Sequence, residues 1–214
     1  MDIPSIIIQI FVVLFAITVH EAAHGWAAAR MGDFTARSMG RVSLNPLVHI
    51  DPIGTILLPL LLIIAHQPAF GWAKPVPVNP YNLRHPRRDH LWISFAGPIA
   101  NLLTAAVAAV LFLLAKAWIS GLTSSSFLAR PAIGLANILI QAFSINMILA
   151  LFNLIPIPPL DGSGILSGLL SDSAAAKYDQ LRPYGFVLII LLAYTRVLSV
   201  IYWPIRILTS YLIR

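Results

Sequence analysis

Apolar residues dominate 3–19, 91–115, 131–153 and 183–214, a shorter apolar run covers 56–65, and polar residues collect between these blocks. A helix needs about 20 apolar residues to cross the hydrocarbon core of a bilayer. The first block, extended to Arg30, and the blocks at 91–115 and 131–153 therefore predict membrane-spanning helices. Residues 56–65 are short for a span, contain Pro59 and end at His66, Gln67 and Pro68. The last block is interrupted by Arg196, Pro204 and Arg206. It reads either as one long kinked helix or as a helix followed by an interfacial segment.

The polar stretches have patterns of their own. Phe34, Ala36 and Ser38, then Arg41, Ser43 and Asn45, suggest two short strands about Met39-Gly40, a small β-hairpin near the membrane. A plain exposed connection is the alternative. Pro75, Pro77 and Pro80 forbid a regular helix and favour extended backbone, so 71–89 predicts an irregular arm that ends in a basic cluster. Lys116 is expected to end the 91–115 span. Pro131 opens the next helix, and Pro156, Pro158 and Pro159 break it ahead of Leu160-Asp161-Gly162.

Composition turns these spans into a fold class. Only 10% of residues are charged and 58% are hydrophobic, with a mean hydropathy of +0.84. Soluble domains carry about 25% charged residues, so the chain predicts an integral membrane protein forming a single domain over 1–214, with its core in 1–164 and a C-terminal helical segment at 178–214. The N-terminus lacks the basic region and cleavage site of a secretory signal, which predicts a retained anchor. Cysteine is absent, which excludes disulfides and thiolate ligands. The net charge of +6 resides largely in two clusters, Arg30, Arg37 and Arg41, and Lys74, Arg84, Arg87 and Arg88. Short basic loops between apolar segments mark the cytoplasmic face of a membrane protein and argue against nucleic acid as the partner.

Chemistry concentrates at the end of the first span. His20 and His24 are four residues apart and share one helix face. Two neutral imidazoles at that spacing can hold one divalent ion, and Glu21 between them can take a proton from a metal-bound water. Zinc held by two histidines normally takes one further protein ligand. Asp161 is the strongest candidate, because an ionised carboxylate within a membrane is costly unless paired or bound to metal. Asp51, beside His49, is the rival and reads more naturally as a turn residue before Pro52. Asp161 could itself cap the turn that Gly162 and Ser163 continue.

The motifs together resemble the site-2 protease family of intramembrane zinc metalloproteases, peptidase family M50, in its compact bacterial and archaeal form. HEAAH at 20–24 matches the HExxH of the family, AGPIANLL at 96–103 its middle helix, and FNLIPIPPLDG at 152–162 its Asn…Leu-Asp-Gly signature, while GWAKPVPVNP at 71–80 is typical of the compact branch. The resemblance implies His20, His24 and Asp161 as ligands of one Zn2+ per chain and Glu21 as the catalytic base. Asn153, eight residues before Asp161, would hold the substrate carbonyl or its oxyanion. No PDZ or CBS module is apparent.

A shared ion demands that the far end of the first span and the turn at Asp161 lie on one side of the membrane. The spans at 91–115 and 132–153 make one round trip, so the segment near 52–68 must enter and return. The expected fold is an all-α polytopic helical bundle with a small membrane-associated β-hairpin or sheet and a re-entrant segment. The expected function is hydrolysis of peptide bonds within or near transmembrane segments of membrane proteins. The expected location is a prokaryotic cell membrane, with the site opening to the cytoplasm. Asn146 and Asn153, seven residues apart on one helix face, are expected to line the polar cleft. Partners would be a membrane-anchored protein substrate and the lipid bilayer, and a homo-oligomer is compatible with the sequence. A transporter or metal carrier with buried His, Glu and Asp is the alternative. It would need a second access route, often built from an internal repeat, and no repeat is visible. A catalytically inactive scaffold is the weakest reading, because all the motif residues are present.

Overall fold

The structure is a computed structural model that describes residues 3–64, 71–123, 127–195 and 197–214. The chain opens with α1 (Ile3–Arg30) and the single turn α2 (Thr35–Ser38). A 3-10 turn at Pro46–His49 and a π-helical stretch at Pro52–Leu57 lead into α3 (Leu58–Ile64). Irregular residues 71–79 and a 3-10 turn at Pro80–Asn82 precede α4 (Pro86–Ser120) and α5 (Ala129–Asn153). Four shorter helices follow: α6 (Asp161–Leu169), α7 (Asp172–Asp179), α8 (Gly185–Tyr194) and α9 (Val197–Ile213). Among the described residues, three helices are long and apolar enough to cross a membrane, Ile6–Arg30 in α1, all of α4 and all of α5.

Helix α4 is the centre of the bundle, packing along α1 on one side and α5 on another, with α6 and α9 also against it. Small side chains let the backbones approach: Ala16, Ala28, Ala105, Ala132 and Ala150 are all but fully buried. The outward faces carry Ile7, Phe11, Leu103 and Leu114, each more than 60% exposed. A belt of that kind is costly in water and at home in lipid. Its 35 residues make α4 about 52 Å long, well over the thickness of a bilayer core. It continues past Lys116, and the expected end of the span there is not observed. Lys116 instead donates to the carbonyls of Leu212 and Ile213 at 3.2 and 3.1 Å and caps the C-terminus of α9. At the opposite end of the tail, Gly185 lies so close to Pro158 that a Cβ there would come within 2.6 Å of the Pro158 carbonyl carbon.

The expected β-hairpin is not formed: among the described residues there is no strand or sheet. Asp33 supplies the reason. Its Oδ1 accepts from the Thr35 backbone N–H at 3.0 Å and from the Thr35 hydroxyl at 2.5 Å, which starts the turn of α2. Met39-Gly40, read from sequence as a hairpin turn, closes this short helix. Gly40 adopts φ +68°, its N–H bonds to Arg37 O at 3.0 Å, and the Arg41 N–H bonds to Ala36 O at 2.9 Å. These are the two bonds of a Schellman ending. Alternation of residue types across 34–45 therefore reflects a helical turn followed by an irregular stretch that bends at Val42 and Leu44, with no ladder partner among the described residues.

The segment after Asp51 is helical and carries its own cap, since Asp51 Oδ1 accepts from Ile53 N and Gly54 N at 3.0 and 2.7 Å. Trp72 N–H returns to Gly54 O at 3.2 Å, and the Thr55 hydroxyl donates to Trp72 O at 2.9 Å. Gly54 and Thr55 thus lie beside Trp72, while the re-entrant segment expected at 52–68 passes beyond Ile64 into residues that fall outside the described ones.

Candidate functional site

Three side chains converge where α1, α4 and the start of α6 meet. His20 Nε2 and His24 Nε2 are 3.0 Å apart. Asp161 places Oδ2 at 3.0 Å from the first and Oδ1 at 3.3 Å from the second. The other ring nitrogens face acceptors, His20 Nδ1 at 2.6 Å from Asn101 Oδ1 and His24 Nδ1 at 2.7 Å from Ile93 O. A ring nitrogen facing a carbonyl oxygen carries the proton, so in the neutral rings both Nε2 atoms present lone pairs to each other and to a carboxylate. That arrangement is repulsive unless a cation lies among the three. Tetrahedral zinc, with bonds of about 2.0–2.1 Å, sets neighbouring donors roughly 3.3 Å apart, in accord with the spacing here. Asp161 Oδ2 is also buried with no hydrogen-bond donor of its own. The trio is the one group of three or more such residues among those described that could hold a metal ion.

Room for the ring pair comes from α4. A Cβ at Gly97 would stand 2.6 Å from His20 Cε1 and 2.7 Å from His20 Nε2, so any side chain there would displace the imidazoles. Gly97 therefore leaves the space that the two imidazoles occupy.

Glu21 lies beside the trio in a cleft of about 680 Å³, lined also by His90, Ser94, Phe152, Asn153, Leu160 and Arg182. Residues 71–79 border this cleft as an irregular strap. Val76 donates its backbone N–H to Glu21 Oε2 at 3.0 Å. Pro75 and Pro77 have no N–H, so Val76 holds the one backbone donor of the trio, and it is aimed at the carboxylate. The strap is pinned on both sides of this bond. Lys74 N bonds to His49 O at 2.9 Å. Asn79 N bonds to Asp33 Oδ2 at 2.7 Å, and the Asn82 side chain to Asp33 Oδ1 at 2.9 Å. Burial pushes the Asp33 carboxyl up, but the donors from Thr35, Asn82 and Asn79 outweigh it and hold the group below its ordinary value of 3.8.

Each residue named from sequence has a definite place. His20, His24 and Asp161 come together, with Glu21 beside them. Asp51 caps the turn at Pro52 instead. Asn153 lines the cleft, and its amide donates back to Leu149 O at 3.0 Å. Asn146 does not line the cleft: it is fully buried and accepts from the Asn101 amide at 2.8 Å. Asn101, Val76 and Gly97 escape a reading of chemistry alone, because none is an acid, base or ligand. Gly97 and Asn101 fall within AGPIANLL and Val76 within GWAKPVPVNP, stretches that carry the family resemblance but attach no role to these three.

Comparison with known proteins agrees with this geometry. Residues 8–193 match the model of peptidase family M50. YwhC of Bacillus subtilis (strain 168), which bears the name of a zinc metalloprotease, is 37% identical over 94% of this chain and 85% of YwhC. Rip2 of Mycolicibacterium smegmatis, named in the same way, is 30% identical over 89% of this chain and 70% of Rip2. Rip2 of Mycobacterium tuberculosis (strain H37Rv) is 27% identical over the same two shares, 89% and 70%. No solved structure gives a significant match. With a family match across most of its length, a His-His-Asp cluster able to chelate a metal and three membrane-length helices, the chain belongs to peptidase family M50, the site-2 family of intramembrane zinc metalloproteases.

Proposed function

We propose that His20, His24 and Asp161 hold one zinc ion and that Glu21 and Asn153 serve the hydrolysis of a peptide bond from a transmembrane segment. The observation that carries this reading is the convergence of two lone-pair nitrogens and a carboxylate within 3.0–3.3 Å, with a second carboxylate beside them in the same cleft. Bound zinc would supply Lewis acidity, polarising the scissile carbonyl and making an attacking water more acidic. Glu21 accepts the proton of the attacking water and delivers it to the leaving amine nitrogen. The Val76 N–H holds Oε2 of this carboxylate. Asn153 offers a second amide hydrogen toward the developing oxyanion. Leu149, Phe152 and Leu160 supply apolar walls.

The substrate is a membrane protein whose helix unwinds at the cleaved bond, because peptide bonds within a helix are shielded by their own hydrogen bonds. The cleft opens to the cytoplasm, a reading supported by the basic clusters around Arg37 and Arg84 in the connections flanking the site. The test is cleavage of model transmembrane peptides by the purified chain in detergent, with Glu21→Gln and with chelator. Cleavage that survives both would overturn the assignment.

A further inference from the structure

Two carboxamides lie in the apolar interior with no part in the chemistry above. Asn101 of α4 and Asn146 of α5 are both 0% exposed. A buried carboxamide costs stability unless its donors and acceptors are matched, and here the matching runs in one direction. Asn146 Nδ2 donates to the α5 carbonyl of Ala142 at 2.9 Å, so its Oδ1 is the atom turned toward Asn101. Asn101 Nδ2 donates to that Oδ1 at 2.8 Å and to the α1 carbonyl of Ala16 at 3.0 Å. Both amide hydrogens of Asn101 are thus committed, and its Oδ1 faces His20 Nδ1 at 2.6 Å. Rotating the Asn101 amide by half a turn would set an oxygen against two oxygens and leave the NH2 group facing the ring.

We propose that Asn101, oriented in turn by Asn146, is a positioning residue that fixes the tautomer and ring plane of His20, so that α4 and α5 together set how tightly the first helix binds its metal. The chain of assignments begins at a backbone carbonyl of α5 and ends with a lone pair on His20 Nε2 pointing at Asp161. His24 needs no such device, because its Nδ1 faces the Ile93 backbone oxygen at 2.7 Å, an acceptor that cannot rotate. Second partners of this kind raise the basicity of a ligating histidine and hold its angle. The proposal rests on the metal-site reading of His20. The competing explanation is that the two amides only bind helices together, as polar side chains do in membranes.

The full-length chain in detergent separates these. Zinc affinity is measured by chelator competition for the wild type and for His20→Ala, Asn101→Leu, Asn101→Asp and Asn146→Leu. The metal-free proteins are also labelled with nitrogen-15 histidine, so that NMR reports the tautomer. Asn101→Leu is expected to weaken zinc binding roughly 10–100-fold and to abolish the fixed Nδ1–H tautomer of His20. Asn101→Asp, which keeps the acceptor, should restore that tautomer and most of the affinity. Asn146→Leu should weaken zinc binding by a smaller factor. If Asn101→Leu does not assemble, Asn101→Asp and Asn146→Leu carry the test through the same two readouts. Wild-type affinity and tautomer in Asn101→Leu or, where that variant does not assemble, wild-type values in Asn146→Leu together with a lost tautomer in Asn101→Asp, would overturn the proposal in favour of helix binding. If His20→Ala matches the wild type in zinc affinity, the metal-site reading itself fails, a result distinct from loss of the Asn101 effect.

Discussion

The backbone N–H of Val76 is bonded to Oε2 of Glu21 at 3.0 Å, across 55 residues of sequence. Replacing Val76 by proline removes that donor from a segment that already follows proline geometry at Pro75 and Pro77. Hydrogen bonds to charged groups contribute about 1.5–3 kcal/mol. Val76→Pro is therefore expected to lower kcat on a model transmembrane peptide by about tenfold or more while zinc content stays unchanged, as metal analysis would show.

Glu21→Gln keeps the size of the side chain and removes its proton affinity. The expected loss is roughly 10²–10⁴-fold in kcat with zinc still bound. Asn153→Ala should cost about 10²–10³-fold, in line with the loss of one oxyanion donor. Single-turnover assays on both variants, alongside thermal unfolding, distinguish lost chemistry from lost structure.

Metal removal should register in stability as well as in activity. A ligand at 100 times its Kd stabilises the folded state by about 2.7 kcal/mol. Chelation of the wild type is expected to lower Tm. In Asp161→Ala, which lacks the carboxylate 3.0 Å from His20 Nε2, chelation should leave Tm nearly unchanged.

Gly97→Ala places a methyl group 2.6 Å from His20 Cε1. The rings must shift, so zinc affinity should fall at least tenfold even though alanine favours a helix over glycine by up to about 1 kcal/mol. Chelator competition on the variant measures this directly. An unchanged affinity would show that α4 yields to the added methyl.

Asp33 gives a pH dependence with a definite sign. Its carboxyl is held below the ordinary value of 3.8 by the donors around it, so the stabilisation is complete above that value and disappears as pH falls through the lower, folded-state value. Asp33→Asn should cost roughly 2 kcal/mol at neutral pH. Its Tm deficit relative to wild type should narrow only in strongly acidic buffer, and thermal unfolding across pH 2–7 tests this.

Much of the fold is readable in the sequence because membrane spans declare themselves by length and lack of charge. The three long helices fall where the apolar blocks predict, although α4 runs further at both ends because Pro86 can start a helix and Lys116 points away to α9. The region at 34–45 misleads, because alternation of apolar and polar residues over so few positions does not distinguish a strand from a helical turn. What decides is Asp33, whose donors include Asn79 and Asn82 from a distant stretch. In the site, the spacing of His20 and His24 is local and legible. Asp161 stands out as a lone acid after a broken helix, and the family resemblance singles it out further. The links from Asn101 to His20 and from Val76 to Glu21 join residues 81 and 55 positions apart, and no local pattern reveals them.

The C-terminal tail is held in more than one way. Gly185 rests against Pro158 in the turn that precedes Asp161, and the carbonyls of Leu212 and Ile213 are gripped by Lys116 far along α4. Helix α9 also lies along α5, with Leu212 against the Phe143 cluster and Thr209 beside Ser144, so loss of the Lys116 bonds alone leaves it seated. At Gly185 any side chain would be driven into Pro158, and the turn that leads into Asp161 would have to yield.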